Sequence, residues 1–210
     1  VVARQAAQRG LAGLEWAAGI PGTVGGAVVG NAGAHGGDMA GNLLLAEILH
    51  HTDAGQGNPW RRDEWAVQDF QYAYRSSVLK KRPGTVVVLS ALLQLQMGTT
   101  DEVIRKLDEL TAYRKHTQPP GASMGSMFKN PPGDYAGRLI EAAGLKGTRM
   151  GSVEISTVHA NFFVNNGRAK AADVFSLLKL AQQQVAQKFG VNLELEIELF
   201  GEWQREHIDE

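Results

Sequence analysis

The chain has 210 residues, enough for one large or two small domains with a hydrophobic core. Its formal net charge of −1 gives no electrostatic reason to expect a nucleic acid or an acidic membrane surface as a partner. Cysteine is absent, which excludes disulfides, a thiolate nucleophile and a cysteine-ligated metal and suits a reducing cytosol. No apolar stretch approaches the ~20 residues of a membrane-spanning helix.

The first forty residues combine a helix end with a glycine-rich segment. Residues 1–10 are predicted to end a helix at Gly10, and because no N-cap residue precedes Val1 we expect the chain to begin inside a larger domain. A short helical turn is predicted at residues 14–18. The following stretch, GIPGTVGGAVVGNAGAHGG (residues 19–37), has too many glycines for regular structure and lacks the serine and charge of a flexible linker. It is predicted to be a packed loop.

The function of that loop has two equally good interpretations from the residues alone. Its backbone N–H groups could converge on an anion or a flat ring, or the glycines could serve tight packing. It is neither a Walker A sequence nor a Rossmann fingerprint, because the required lysine and the strand–turn–helix context are missing.

Residues 43–96 are predicted to alternate strands with short connections. Apolar runs predict strands at 43–53 and 85–96, with a turn at 55–59 and a short helix at 63–70 between them. A helix then opens at Thr99, where Glu102 three residues later completes a capping-box pattern. That helix runs to about residue 116 and ends before Gln118-Pro119-Pro120.

The second half predicts an α+β unit, a helix pair over a small sheet. We place the domain boundary near the end of the Thr99 helix, with a first domain of residues 1–112 and a second of residues 113–206. The predicted elements of the second domain are a strand near 126–130, a helix at 134–143, strands at 151–157 and 160–165, a helix at 170–189 and a strict period-two strand at 193–200.

Residues 121–132, GASMGSMFKNPP, carry the strongest chemical signal. A small-residue turn presents Ser126, which can give or take a proton, while Lys129 and Asn130 offer a charge and an amide for polar recognition. An ordinary turn before an edge strand would explain the same residues.

Two further segments could take part in a polar site. QYAYRSS (residues 71–77) sets Arg75 beside aromatic residues, and its guanidinium suits a carboxylate or phosphate as well as a solvated surface. In 193–200, three glutamates share one face of the predicted strand, as in any half-solvated strand, and one could serve as an acid. No histidine pair has the spacing of a zinc helix, so we predict no metal.

Taken in order, GIPGTVGGAVVGNAGAHGG, AYRSS, GSMFKNP, AGRLIEAAGLKG, HANFFVNNG and LELEIELFGE resemble the UDP-N-acetylenolpyruvoylglucosamine reductases (the MurB family) from about Gly13 to Trp203. The resemblance implies part of an FAD-binding α+β domain of the vanillyl-alcohol-oxidase (PCMH) type, followed by a smaller α+β substrate-binding domain. It also implies a cytoplasmic, monomeric oxidoreductase of cell wall biogenesis, associated with cell shape and division. Such an enzyme uses NADPH and FAD to reduce UDP-N-acetylglucosamine enolpyruvate to UDP-N-acetylmuramate.

The resemblance assigns roles to individual residues. Ser126 matches the serine that protonates carbon 2 of the enolpyruvyl group, Arg75 the arginine on its carboxylate, and Glu196 the glutamate that completes the catalytic site. Further substrate contacts are expected at Tyr74, Lys129, Asn130, Arg114 and Gln118. The residues expected at FAD are Gly19, Ile20, Pro21, Gly22, Thr23, Gly25, Gly26, Asn31, Gly33 and Ala34.

Two departures from the family pattern limit these expectations. The family has an N-terminal subdomain with its own phosphate-binding loop, and the chain begins after it, so the chain alone is expected to bind FAD weakly and to be inactive. The short connection between the strand ending near Gln96 and the helix at Thr99 leaves no room for the mobile loop of the longer subtype. The chain therefore resembles the shorter subtype.

Two alternatives remain beside the reductase. A different flavoenzyme on the same scaffold would have no reason to keep GSMFKNP and LELEIELFGE together. A non-catalytic nucleotide-sugar-binding module would need Lys129, Asn130 and the glycine-rich loop but would be indifferent to Ser126 and Glu196.

Overall fold

The computed structural model describes residues 1–51, 59–81 and 84–201. The chain divides into two compact units, an amino-terminal unit (Val1–Arg114) and a carboxyl-terminal unit (Lys115–Glu210). Sequence alone puts this boundary between residues 112 and 113. Both units mix helices and antiparallel sheets, so the chain has an α+β fold. No helix among the described residues is long and apolar enough to cross a membrane.

The amino-terminal unit is built around a three-stranded antiparallel sheet in the order β5-β4-β6. Its elements in chain order are α1 (Val2–Ala7), β1 (Leu11–Ala12), a 3₁₀ turn (Glu15–Ala17), α2 (Val24–Gly30), β2 (Gly33–Ala34), β3 (Gly37–Asp38), α3 (Met39–Asn42), β4 (Leu43–His51), β5 (Trp60–Ala66), a second 3₁₀ turn (Val67–Phe70), β6 (Val86–Leu93), β7 (Gln96–Met97) and α4 (Thr100–Thr117). The core buries Val28, Ile48, Phe70 and Leu107, which are almost completely excluded from solvent.

The carboxyl-terminal unit is a four-stranded antiparallel sheet in the order β8-β11-β10-β9 with two helices. Its elements are β8 (Ala122–Ser126), α5 (Ala136–Ala142), β9 (Arg149–Met150), β10 (Val153–Ile155), β11 (Phe162–Asn165) and α6 (Ala171–Phe189). The apolar face of α6 packs on this sheet, and Gly190 ends the helix in the left-handed conformation at φ 68°. The helix predicted at 170–189 is confirmed.

The predicted capping box of α4 is present. The Thr99 hydroxyl lies 2.6 Å from the Glu102 carboxylate, and the Glu102 N–H lies 3.4 Å from Thr99 Oγ1. The helix therefore begins where the sequence predicts, because the signal is local.

Three predicted elements are wrong. Of the helix predicted at 63–70, residues 67–70 form the second 3₁₀ turn, but residues 63–66 are the end of β5 because they pair with β4, where the Asp63 carboxylate lies 2.6 Å from His50 Nε2. The glycine-rich stretch contains α2 and the β2–β3 hairpin, not only irregular loop. In place of the predicted strand, residues 193–200 form a single bridge, Leu195 with Phe128, because their backbone pairing with residues 127–129 covers only residues 194–196.

One predicted strand lies at different residues in the structure, and one predicted turn lies mostly outside the described residues. The strand expected near 126–130 occupies Ala122–Ser126, so Ser126 lies at its end. The turn predicted at 55–59 lies outside the described residues for all but Pro59.

Candidate active site

Ser126 lies at the wall of a cavity in the carboxyl-terminal unit. It pairs with Phe162 of β11, is half-buried, and follows Gly125, whose φ of 89° lies in the left-handed region. The cavity has a volume of about 380 Å³, and its wall also includes Asn130, Tyr135, Arg138, His159 and Asn161. Ser126 therefore lies on a concave surface that also carries several polar side chains.

The segment after Ser126 is hydrogen-bonded to the acidic segment. Lys129 N–H donates to the Glu194 carbonyl at 2.8 Å, and Glu196 N–H donates to the Met127 carbonyl at 2.9 Å. The Lys129 ammonium also forms an ion pair with the Glu194 carboxylate. Glu196, which is partly buried, is thus held opposite the residue that follows Ser126. These bonds join the backbone segments that carry Lys129 and Glu196, directly after Ser126.

Asn130 shapes the start of α5. Its side-chain oxygen accepts the Ala136 N–H at 3.1 Å. Next to it, Asp134 receives the Arg138 guanidinium Nε at 2.6 Å and the Tyr135 N–H at 2.7 Å. The hydrogen bond from Arg138, and then that from Tyr135, lowers the pKa of Asp134 to about 2. Asp134 is therefore an anion at any working pH, and the first turn of α5 is fixed.

His159 faces the same cavity as a neutral imidazole. Burial lowers the pKa of His159 below its ordinary value. Its Nδ1 accepts the Asn161 N–H at 3.2 Å, which puts the proton of the neutral ring on Nε2. Its ring packs edge-on against Phe162 at 4.8 Å. These contacts support a structural role for His159.

In the amino-terminal unit, the loop at residues 72–77, which contains AYRSS, is hydrogen-bonded to the end of α2. Tyr72 donates its hydroxyl to the Val28 carbonyl at 2.7 Å, and Ser77 donates to the Val29 carbonyl at 2.6 Å. These carbonyls belong to the last turn of α2 and need partners from outside the helix. The loop and the glycine-rich segment therefore form one structure.

Arg75 stands at the tip of this loop in a strained conformation. Its φ is 53°, in the left-handed region that non-glycine residues rarely adopt. Its Nη2 donates to the Gly33 carbonyl at 2.7 Å, and its guanidinium carbon lies 5.2 Å from the centre of the Tyr74 ring. Strain of this kind often marks a functional residue. The arginine and tyrosine predicted to contact substrate are thus neighbours beside the glycine-rich segment.

The glycine-rich segment borders a mostly apolar groove of about 300 Å³. The predicted cofactor residues in its wall are Ile20, Pro21, Gly22, Thr23 and Gly26. A Cβ added to Gly22 would meet no atom within 4 Å, and its φ is 117°, so this glycine leaves open space in a conformation other residues avoid. Small residues and an apolar wall suit a flat ring that lies close to the backbone.

Other glycines of this segment serve packing. A Cβ on Gly33 would lie 2.7 Å from the Asp38 Cβ, and one on Gly37 would lie 2.4 Å from Trp16 Cδ1. Gly25 and Ala34 are half-buried. The packing interpretation therefore applies to Gly33 and Gly37, and ligand contact by the rest of the segment stays a prediction.

Asn31 is almost completely buried, and its amide is used within the unit. Its Oδ1 accepts the Ala40 N–H at 2.9 Å and its Nδ2 donates to the Ala73 carbonyl at 3.1 Å. The contact predicted between Asn31 and FAD therefore stays a prediction.

Gly19 and Arg114, two further predicted site residues, are adjacent, since a Cβ on Gly19 would lie 3.4 Å from Arg114 Nε. Gln118, just after α4, is half-buried.

The sequence analysis missed the residues that hold the predicted ones in place. Asn161 is 2% exposed and hydrogen-bonds the backbone of Phe128 through its side chain. A polar residue inside the apolar run of HANFFVNNG could have signalled this role. Tyr72 and Ser77 lie in a quoted motif, but nothing local indicates that they reach α2. Among the described residues no cluster of acidic or histidine side chains could hold a metal ion.

Comparison with known proteins places these sites in context. Residues 116–200 match the family model "UDP-N-acetylenolpyruvoylglucosamine reductase, C-terminal domain", and residues 1–50 match "FAD binding domain". The chain superposes on the crystal structure of UDP-N-acetylenolpyruvylglucosamine reductase from Thermus caldophilus with a TM-score of 0.80 and 40% sequence identity, covering 95% of this chain and 68% of that one. The chain belongs to the UDP-N-acetylenolpyruvoylglucosamine reductase family.

Curated members of the reductase family agree with this membership. The reductases of Chloroflexus aggregans and Chloroflexus aurantiacus are 50% and 48% identical to the chain and match 93% and 94% of it. The chain spans 64% and 65% of their lengths. The predicted family resemblance is therefore confirmed, and Ser126, Lys129 and Glu196 all lie within the matched C-terminal domain.

Proposed function

We propose that the full protein carrying this chain reduces UDP-N-acetylglucosamine enolpyruvate to UDP-N-acetylmuramate with FAD and NADPH, a step of peptidoglycan synthesis. The observation that carries the proposal is the pairing of residues 127–129 with 194–196 in the domain that matches the reductase family. That pairing joins the segment that carries Ser126 and Lys129 to the segment that carries Glu196, and Ser126 lines a cavity of the same unit.

The glycine-rich groove is the part of the chain that would hold FAD. Its apolar wall and the open backbone at Gly22 fit a flat ring, and its volume of about 300 Å³ fits part of a dinucleotide. Bound FAD would supply the transfer of a hydride from NADPH to carbon 3 of the enolpyruvyl group. Substrate binding, charge stabilisation and proton donation would be carried out by side chains of the protein.

Arg75 would hold the substrate carboxylate and stabilise the negative charge that spreads onto it. A guanidinium binds a carboxylate through two parallel hydrogen bonds, and the Gly33 carbonyl and the Tyr74 ring hold this one in place before substrate arrives. A donor positioned in advance gives more stabilisation where charge develops than a mobile one.

Ser126 would donate a proton to carbon 2, and Glu196, acting as an acid, would polarise the substrate carboxylate through a shared proton. A hydroxyl is a weak acid near neutral pH, so it can protonate only a strongly basic centre, and an enolate carbon is one. Lys129 and Asn130 would contact the nucleotide-sugar part. We expect Lys129 to bind substrate while paired with Glu194.

The experiment is NADPH oxidation by the full protein with added FAD and UDP-N-acetylglucosamine enolpyruvate. UDP-N-acetylglucosamine, which lacks the enolpyruvyl group, is the matched control. Oxidation with the first and not the second supports the proposal. Bound flavin without substrate-dependent oxidation would contradict it in favour of a different flavoenzyme, and nucleotide-sugar binding without flavin would favour a binding module.

We further propose that the protein acts in the cytoplasm as a monomer, prefers NADPH and supports cell shape and division through the cell wall. Comparing NADPH with NADH under the same assay tests the nicotinamide preference. Size-exclusion chromatography with light scattering tests the monomer.

A further inference from the structure

The buried side-chain amide of Asn161 hydrogen-bonds the backbone next to Ser126. Its Oδ1 accepts the Phe128 N–H at 2.9 Å, and its Nδ2 donates to the Phe128 carbonyl at 2.8 Å. Its own carbonyl accepts the Met127 N–H at 2.9 Å. One residue thus binds both residues that follow Ser126.

Ser126 needs such a support because the strand around it is irregular. The pairing of β8 with β11 shifts register between Ser126 and Ser123, and Gly125 has a φ of 89°. A register shift of this kind frees and re-aims side chains near functional sites. The residues before Ser126 therefore form a bulged, glycine-containing stretch. Asn161 binds the residues that follow Ser126, Met127 and Phe128.

Asn161 is itself held rigidly. The His159 ring accepts its N–H, and a Cβ on Gly137 would lie 2.9 Å from His159 Cε1, so α5 packs directly against this imidazole. Ser126, His159 and Asn161 all line the same cavity.

We propose that Asn161 is a positioning residue that fixes Ser126 for proton donation to the substrate. The inference rests on the function proposed above and adds a residue to it. Asn161 acts through the backbone of residues 127–128, and the amide is required because it must accept from an N–H and donate to a carbonyl at once.

Asn161→Asp is the sharpest test, because it keeps the shape and the acceptor but sets a carboxylate oxygen against the Phe128 carbonyl. The matched control is Asn165→Asp at the end of β11, the strand that begins directly after Asn161. The Asn165 Oδ1 accepts the N–H groups of Gly167 and Ala169, and a carboxylate accepts equally well.

The measurement separates the two half-reactions of the full protein by rapid mixing. A displacement of the donor by about 1 Å costs roughly 10²-fold in rate. Asn161→Asp should therefore slow flavin re-oxidation by substrate about 100-fold and raise its solvent deuterium isotope effect. Flavin reduction by NADPH and the control variant should stay within about twofold of wild type.

Each other outcome has a definite meaning. Equal re-oxidation rates for wild type and Asn161→Asp, or equal slowing of both half-reactions, would overturn the inference and leave the proposed function standing. A wild type that does not turn over would overturn both. If Asn161→Asp does not fold, Asn161→Ser, which keeps a donor without a charge, takes its place. Failure of both variants to fold would assign Asn161 a purely structural role and overturn the inference.

Discussion

The two units hold their candidate site residues by different means. In the amino-terminal unit, side chains of the loop at 72–77 donate to backbone carbonyls of the segment at 28–33, more than forty residues away. In the carboxyl-terminal unit, backbone groups of residues 127–129 pair with those of 194–196. A site held by side chains is sensitive to single substitutions, whereas a site held by backbone bonds tolerates them except at a residue such as Asn161.

Among the substitutions that test this comparison between the units, the largest expected effect is at Arg75. Arg75→Asn removes the guanidinium but keeps a residue that tolerates the left-handed conformation, so the loop should still fold. Losing one preorganised donor of this kind costs about 10²–10³-fold in rate. We expect kcat/KM for the UDP-sugar to fall by that factor in steady-state assays.

Arg61→Asn is the matched control for Arg75→Asn. Arg61 is an exposed arginine of the same unit that pairs with Asp63, and exposed ion pairs contribute little. The kcat/KM of Arg61→Asn should stay within about twofold of the wild-type value. Similar losses for both arginine variants would show that Arg75 has no special role.

Gly37→Ala tests how tightly the glycine-rich segment is packed. The new Cβ would lie 2.4 Å from Trp16 Cδ1, and Trp16 cannot move easily because its Nε1 donates to Asn42 at 2.8 Å. Overpacking of this kind costs about 1–3 kcal/mol. Urea denaturation should show that loss in the free energy of unfolding.

Gly30→Ala is the matched control for Gly37→Ala. A Cβ there meets no atom within 4 Å, and the residue is helical, so this change should be neutral or slightly stabilising. Equal destabilisation by both glycine variants would mean that backbone freedom, and not packing against Trp16, explains Gly37.

The smallest effect expected is at Asp134, in the carboxyl-terminal unit. Its pKa is lowered in the folded protein, first by Arg138, so its contribution to stability is present above the unfolded pKa near 4 and is lost as the pH falls toward 2. Asp134→Asn should lower Tm slightly at pH 6, and the difference from wild type should shrink between pH 4 and pH 2. A difference that grows on acidification would contradict this assignment.

Local signals allowed the sequence to predict the long helices. The capping box at Thr99 and the glycine at 190 act within a few residues of the helix ends, and the apolar spacing of α6 survives in the packed structure. The order of the family motifs likewise predicted the family, which is confirmed, whereas the roles of the individual site residues stay predictions.

Contacts distant in sequence explain the errors. Glycines disfavour helix, yet α2 forms because Thr23 accepts the Gly26 N–H and the loop at 72–77 bonds its carbonyls. The alternation of residues 193–200 predicts a strand, but only Leu195 finds a bridge partner. The polar Asn161 inside an apolar run signals a buried role, but the sequence does not show that its partner is Phe128, because that contact depends on how β8 pairs with β11.

The most direct test of the whole account is rapid mixing of Ser126→Ala, with Ser123→Ala on the same strand as control. Flavin in the full protein with Ser126→Ala should be reduced by NADPH at the wild-type rate, while its re-oxidation by the UDP-sugar enolpyruvate falls about 10²–10⁴-fold and substrate affinity is kept. Ser123→Ala should match wild type in both steps. Unchanged re-oxidation in Ser126→Ala, or a loss of substrate affinity alone, would contradict the account.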